Sequence, residues 1–213
     1  MIATIIGGTG LTGSFLVRNL LADSGITKVI SVSRRPMLIS NAKLAEVLIS
    51  DLAELPAIEA KLRGELYFCC LGTTIKIAGS QENFEKVDHD AILAFATLAK
   101  AHDAKSFTLI SAMGANPNSM FFYNRVKGRT ENDVRDLGMR SLIIFRPAFL
   151  VGPREALRSS ESILTKTLVP ISRILPVRTR KSLITEVETL AKRMLAEGKA
   201  ASVGVHVLPA GDI

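Results

Sequence analysis

Near the start of the chain a short apolar run, Ala3 to Ile6, leads directly into Gly7-Gly8-Thr9-Gly10-Leu11-Thr12-Gly13, and no other stretch narrows the possible folds so far. These residues satisfy G-x-x-G-x-x-G from Gly7 and G-x-G-x-x-G from Gly8. From Leu11 to Asp23, Leu11, Phe15, Leu16, Asn19 and Leu20 recur at helical spacing, and Gly25 ends the segment. The order is strand, turn, helix. Glycine in such a turn permits tight reversal, close backbone approach to a pyrophosphate and close helix packing, while the helix N-terminus offers free N–H groups to an anion. At a first strand-to-helix turn this pattern points to a dinucleotide, with a purely structural turn as the competing reading.

The remaining chain alternates in the same way. Val29 to Val32, Glu46 to Ile49, Leu66 to Leu71, Phe107 to Ile110 and Leu142 to Phe145 read as strands, and Val205 to Leu208 as a short final one. Several are apolar on both faces, as a parallel sheet covered on both sides requires. Helices are expected at Asn83 to His102, with Phe84, Val87, Ile92, Phe95, Leu98 and Ala99 along one stripe, and at Met120 to Leu137, stopped by Gly138. Ser162 to Leu175 and Glu186 to Glu197 also read as helical, joined by the irregular, basic Pro176 to Lys181. The expectation is an α/β fold, a doubly wound parallel sheet with helices on both faces and a small C-terminal helical appendage. It is read as a single domain over residues 1–213, with a core at 1–153 and a substrate-side appendage at about 154–200. Ligands are expected at the carboxyl ends of the strands.

Composition removes several function classes. An apolar fraction of 47% and a charged fraction of 22% argue against a disordered chain. The first basic residue is Arg18, and Gly7, Gly8, Gly10 and Gly13 interrupt the apolar run that a signal peptide needs. The longest uncharged stretch, Ser106 to Asn124, contains Gly114, Pro117 and asparagines, so no transmembrane segment and a cytoplasmic location are expected. Adjacent Cys69 and Cys70 cannot close a loop and read as reduced core residues. The net charge of +7 favours an anionic ligand. Nucleic acid is not expected as a partner, because tryptophan is absent, tyrosines number two and no aromatics interleave with the basic cluster. His89, His102 and His206 lack ligand spacing, so no metal site is expected, and His89 and His102 are expected on an exposed helix flank. A mean hydropathy of +0.28 hints at apolar surface buried in a homodimer.

The ends of the strands supply the candidate site. After the second strand the chain reads Ser33-Arg34-Arg35-Pro36, with no carboxylate to take a ribose 2′-hydroxyl. Two guanidiniums there favour the 2′-phosphate of NADP(H) over NAD(H), against the plainer reading of a solvated basic loop. Asp51 follows the third strand, where its carboxylate can meet an adenine amino group or cap a helix. Leu71-Gly72-Thr73-Thr74 ends the fourth strand, with Gly72 admitting a ligand and the hydroxyls able to bond ribose or phosphate. Tyr123 and Lys127 stand at i and i+4 on one helix, and Ser111 follows the fifth strand. An ammonium beside the phenol favours phenolate and brings Tyr123 into range as general acid, with Ser111 holding the carbonyl oxygen that is protonated. An ordinary surface pair is the alternative for Tyr123 and Lys127.

Taken together, these residues resemble the short-chain dehydrogenase/reductase superfamily, in its atypical branch. More narrowly the chain is similar to the HIV Tat-interactive protein 2 group of oxidoreductase-like proteins and its bacterial relatives. The match runs through Cys69-Cys70-Leu71-Gly72-Thr73-Thr74, Lys76, Ala78-Gly79, Phe84, Val87-Asp88 and Asp90. It continues with Ser111, Gly114-Ala115, Tyr123, Val126-Lys127-Gly128 and Phe145-Arg146-Pro147, and thins after Pro153. The resemblance implies a Rossmann-type fold binding NADPH, with Ser111, Tyr123 and Lys127 as the catalytic triad and Lys127 also touching the nicotinamide ribose. It further implies Gly10, Leu11 and Thr12 at the pyrophosphate, Arg34 and Arg35 at the 2′-phosphate, and Asp51 with Leu52 at the adenine. Leu71, Gly72 and Thr73 would line the adenosine and ribose side, and the Pro147 turn would meet the carboxamide. The superfamily's epimerase branch carries a larger C-terminal lobe, for which the residues after Pro153 leave little room.

The function expected is an NADPH-dependent oxidoreductase that reduces a small carbonyl substrate, with Tyr123 as general acid. The alternative is a cofactor-sensing regulatory protein with little turnover, acting through protein partners and using the basic segment from Pro153 to Lys181.

Overall fold

The computed structural model describes residues 1–152 and 183–213. The expected helix at Ser162 to Leu175 and the basic stretch to Lys181 lie outside the described residues. The chain opens with β1 (Ile2–Ile6), α1 (Leu11–Ala22), β2 (Lys28–Ser33), β3 (Leu44–Leu48), a 3-10 helix (Leu52–Lys61) and β4 (Leu66–Cys69). Next come α2 (Ile75–Ala78), α3 (Gln81–Glu85), a π-helical turn (Lys86–Asp90), α4 (Ala91–Ala101), β5 (Ser106–Ile110), α5 (Phe122–Asp136) and β6 (Ser141–Arg146). β7 (Phe149–Val151), β8 (Ile184–Glu186), α6 (Val187–Ala200) and β9 (Gly204–Pro209) complete it.

Seven strands form one parallel sheet in the order β3-β2-β1-β4-β5-β6-β9. From β1 the chain winds outward to β3, then crosses to β4 on the other side of β1. Strand order therefore reverses between β1 and β4, and connections diverge there to leave a crevice at the carboxyl edge. This is the Rossmann-type doubly wound sheet that the apolar strands predict.

Helices cover both faces because each strand has apolar side chains pointing both ways. On one face Tyr67, Phe107 and Ile144 pack under Phe95 of α4 and Val134 of α5. On the other, Ile5, Phe68 and Phe145 pack under Leu16 and Leu20 of α1 and Leu190 and Met194 of α6. Phe95 sits between Tyr67 and Phe107, with ring centroids 5.4 and 6.0 Å away. Each such fully buried side chain contributes about 1.5–3 kcal/mol.

Three local features differ from the sequence expectation. The helix expected as one piece from Asn83 to His102 is interrupted by the π turn. There the side chain of Asp88 turns inward, and Thr130 Oγ1 donates to the Asp88 carbonyl at 2.9 Å. β7 and β8 pair in a separate two-stranded parallel sheet, each too short to show a periodicity. The histidines are not on an exposed flank. His89 lies between Asp90 Oδ1 at 2.7 Å and Asp133 Oδ2 at 2.6 Å, and buried His102 meets the Tyr67 hydroxyl.

Candidate active site

The site begins at the turn after β1. Gly7 has φ of +79°, and a Cβ there would stand 2.5 Å from the carbonyl oxygen of Cys70, just past neighbouring β4. A Cβ on Gly13 would fall 2.1 Å from the Gly7 oxygen. The two glycines let the turn fold under the first turn of α1 while β1 and β4 stay paired. Gly10 caps α1 without a side-chain hydrogen bond, so the helix's opening N–H groups face the crevice unsatisfied by any capping side chain. Beside them Thr12 Oγ1 is buried and has no hydrogen-bond partner among the described residues.

Successive strand ends carry the other expected contacts to this edge. Arg34 and Arg35 are exposed just past β2, and the Ser33 hydroxyl donates to the Arg35 carbonyl at 2.7 Å, fixing that turn. Asp51 caps the 3-10 helix, accepting from the Ala53 N–H at 2.8 Å in a reciprocal box with Glu54, and Leu52 is the first residue of that helix. The capping role weighed for Asp51 is thus realised. Leu71, Gly72 and Thr73 follow β4, and the Pro147 carbonyl, past β6, accepts from the Met113 N–H at 2.9 Å.

On α5, Tyr123, Lys127 and Glu131 succeed one another at i, i+4 and i+8. Lys127 is buried and its Nζ lies 2.7 Å from Asp88 Oδ1, while Asp88 Oδ2 accepts from the Thr73 N–H at 2.8 Å. Burial opposes the Lys127 charge, but the Asp88 carboxylate and the Tyr123 phenol outweigh it and hold its pKa above the ordinary value. The Tyr123 ring rests against Phe84, 5.6 Å between centroids, with 37% of the residue exposed.

Two expected groups have further partners in the structure. The ammonium is expected to favour Tyr123 phenolate, yet the Tyr123 pKa is raised, because burial and the Asp88 charge outweigh the pull of Lys127. The Ser111 hydroxyl, expected to hold a carbonyl oxygen, donates to Glu131 Oε1 at 2.6 Å. That carboxylate also accepts from Arg146 Nε at 2.9 Å, Arg146 Nη2 at 2.6 Å and Arg135 Nη2 at 3.0 Å. No hydrogen bond joins Ser111 to Tyr123 or Lys127 among the described residues.

Asp88 and Glu131 are the functional candidates that sequence reasoning missed. Asp88 and Arg146 carried a signal, since both fall among the residues of the family resemblance. Nothing in the spacing marked Glu131 beyond its place one turn after Lys127.

A doubly wound parallel sheet with a glycine turn at its switch point defines a nucleotide-binding α/β protein. The chain belongs to the NAD(P)H-binding family, whose sequence profile it matches over residues 7–168. It is similar to Protein FMP52-1, mitochondrial, of Scheffersomyces stipitis, with 35% identity over 82% of this chain and 77% of that protein. Protein HTATIP2 of Rattus norvegicus is 35% identical over 76% of this chain and 68% of its own length. The resemblance to the atypical short-chain dehydrogenase/reductases of the HIV Tat-interactive protein 2 group therefore holds. Among solved structures, MoeE5 in complex with UDP-glucuronic acid and NAD superposes with a TM-score of 0.77 at 18% identity, over 99% of this chain and 76% of that one. UDP-glucose 4-epimerase of Thermotoga maritima gives 0.71 at 20% identity over 99% and 77%. Those two likenesses concern the fold.

The expected cytoplasmic location is overturned by the fungal relatives, which are named as mitochondrial proteins. No helix of the described residues is long and apolar enough to cross a membrane.

The site fits a dinucleotide on its own geometry. The glycine cradle has no room for a Cβ, and the orphaned Thr12 hydroxyl stands beside open helix N–H groups, where a phosphate oxygen would satisfy it.

Proposed function

We propose that this protein is an NADPH-dependent oxidoreductase that reduces a small carbonyl compound, with Tyr123 as general acid. The observation that carries the reading is the buried Lys127–Asp88 pair one helical turn from Tyr123, at the strand edge that also bears the glycine turn.

Gly7, Thr9, Gly10, Leu11, Thr12 and Gly13 would hold the pyrophosphate, Thr12 through the hydroxyl that lacks a partner. Arg34 and Arg35 would pair with a 2′-phosphate, which supports NADP(H) over NAD(H). Asp51 and Leu52 would meet the adenine, Leu71, Gly72 and Thr73 the ribose side, and Pro147 the carboxamide. When bound, the reduced nicotinamide supplies a hydride. Tyr123 Oη gives its proton to the substrate oxygen, and its raised pKa keeps that proton in place until it is needed. Lys127 holds positive charge beside the phenol as negative charge develops on it, and would also reach the nicotinamide ribose. Ser111 would hold the carbonyl oxygen of the substrate when its hydroxyl turns from Glu131 to the ligand. The expected homodimer is kept in this reading, supported by exposed Val205 and Val207 on edge strand β9.

A panel of small aldehydes and ketones, followed by NADPH oxidation, tests this. Wild-type protein should reduce at least one of them, and Tyr123→Phe should bind NADPH as before while losing at least about a hundredfold in turnover. Unchanged turnover in Tyr123→Phe sinks the mechanism. The regulatory alternative rests on Pro153 to Lys181, which lies outside the described residues.

A further inference from the structure

Asp88 is a fully buried carboxylate whose pairing with Lys127 marks the site, but whose own part in the Tyr123 chemistry is still unassigned. Its position is fixed from three sides. Oδ2 accepts from the Thr73 N–H at 2.8 Å, Oδ1 faces Lys127 Nζ at 2.7 Å, and its backbone carbonyl accepts from Thr130 at 2.9 Å. The π turn is what makes this possible, because the extra residue per turn brings Asp88 inward within a helix that otherwise presents apolar side chains to the sheet. Gly72 passes close by, and a Cβ there would stand 3.7 Å from Asp88 Oδ1 and 3.9 Å from Lys127 Nζ, so the pair is flanked by backbone and not by a third charge.

An ammonium alone one turn from a phenol lowers the energy of the phenolate. An ammonium held 2.7 Å from a carboxylate acts instead as a compact dipole, whose field falls off faster with distance than that of a lone charge. The groups facing this centre are few. Tyr123 is faced by Lys127 on its own helix, by Asp88 from the π turn, and by the uncharged Phe84 ring from α3. Lys127 is faced by Asp88, by Tyr123 and by Cys69 of β4, whose thiol burial pushes up to about 12 and so leaves neutral.

We propose that Asp88 is a positioning residue that pins the Lys127 ammonium and offsets part of its field at Tyr123, so that the phenol keeps its proton until the substrate oxygen takes it. The proposal rests on the reductase reading for its consequence, though its physical content does not. In the reaction the carbonyl carbon receives a hydride from the reduced nicotinamide, and the carbonyl oxygen receives the Tyr123 proton. An alcohol and the oxidised nicotinamide result, and solvent reprotonates the phenolate. Asp88 touches neither substrate nor hydride.

The chain has two tyrosines and no tryptophan, which makes the test direct. Phenolate absorbance is titrated in the full chain with NADP⁺ present and again without it, and the curve of Tyr123→Phe is subtracted to leave Tyr123 alone. Asp88→Asn keeps an oxygen for the Thr73 N–H and removes the charge. It should bring the Tyr123 titration down by about one to two pH units, and the high-pH limb of any reductase activity should move with it. Asp88→Asn/Lys127→Met removes both buried charges, avoids an unpaired ammonium, and should titrate at or above the wild type. An Asp88→Asn curve that coincides with wild type overturns the proposal. So does a double variant that shifts as far as the single one. Failure of NADP⁺ to bind would count against the oxidoreductase reading, while the curve recorded without nucleotide would still decide the role of Asp88.

Discussion

Ser111 Oγ donates to Glu131 Oε1 at 2.6 Å, across the gap between the end of β5 and the third turn of α5. Glu131 is buried and accepts four hydrogen bonds, so its oxygens have no lone pair to spare. The carboxylate ties β5, α5 and the end of β6 together behind Tyr123 and Lys127. Its burial is affordable because two guanidiniums neutralise it, and in return Glu131 holds the Arg146 pKa above its ordinary value.

Removing either partner should therefore weaken the fold. Glu131→Ala leaves Arg146 facing a buried gap and should cost about 3–5 kcal/mol. Ser111→Ala should cost about 1.5–3 kcal/mol, as for a hydrogen bond to a charged group. Urea denaturation of both variants and of the double variant should give less than additive losses, because the two changes break one shared contact. Fully additive losses would show that the bond carries no energy of its own.

Thr12→Val separates stability from ligand binding. The Thr12 hydroxyl is buried without a partner, so an isosteric apolar replacement should leave the melting temperature unchanged or slightly higher. If that hydroxyl waits for a phosphate oxygen, NADPH affinity should fall by about tenfold, close to the value of one charge-assisted hydrogen bond. A destabilised variant that binds NADPH as before would contradict both halves.

Gly128 sits where α5 meets the loop that precedes it. A Cβ there would lie 2.2 Å from Pro117 N and 2.3 Å from the Asn116 carbonyl carbon, all backbone atoms with no flexible end to swing away. Gly128→Ala should cost about 1–3 kcal/mol in thermal or urea unfolding, despite the better helix propensity of alanine. Gly79 has open space around it and φ of +81°, so its replacement by alanine should act through backbone strain alone.

Reductase activity should depend on pH in one direction through Tyr123. Its pKa lies above the ordinary phenol value of about 10, so the proton is present across the neutral range. Activity should be flat through neutrality and fall only as pH rises through that raised value. A reductase limb that fell near pH ~7 would point to a different proton donor.

The sheet was legible in the sequence because parallel strands buried on both faces announce themselves as uniform apolar runs, as Val29 to Val32 and Leu66 to Leu71 do. The glycine turn was equally plain, since Gly7 and Gly13 sit where a Cβ collides with backbone. Pairings between polar groups far apart in sequence were not legible. Nothing in the local sequence around Glu131 reveals that Ser111 and Arg146 close on it from other elements. Asp88 lay in a helix whose stripe predicted continuous α-turns, and no periodicity reveals that one π turn aims it at Lys127. The same blindness applied to the Tyr123 proton. An i, i+4 neighbour is visible in sequence, whereas the counter-charge 39 residues before Lys127 is not.

The measurement that bears most directly on the cofactor reading is a titration with NADPH and with NADH, followed by nicotinamide fluorescence, in wild type and in Arg34→Ala and Arg35→Ala. The account predicts tighter binding of NADPH than of NADH, with each arginine variant losing affinity for NADPH by about tenfold or more and little for NADH. Equal affinity for the two nucleotides, or an NADPH preference that survives both substitutions, would contradict it.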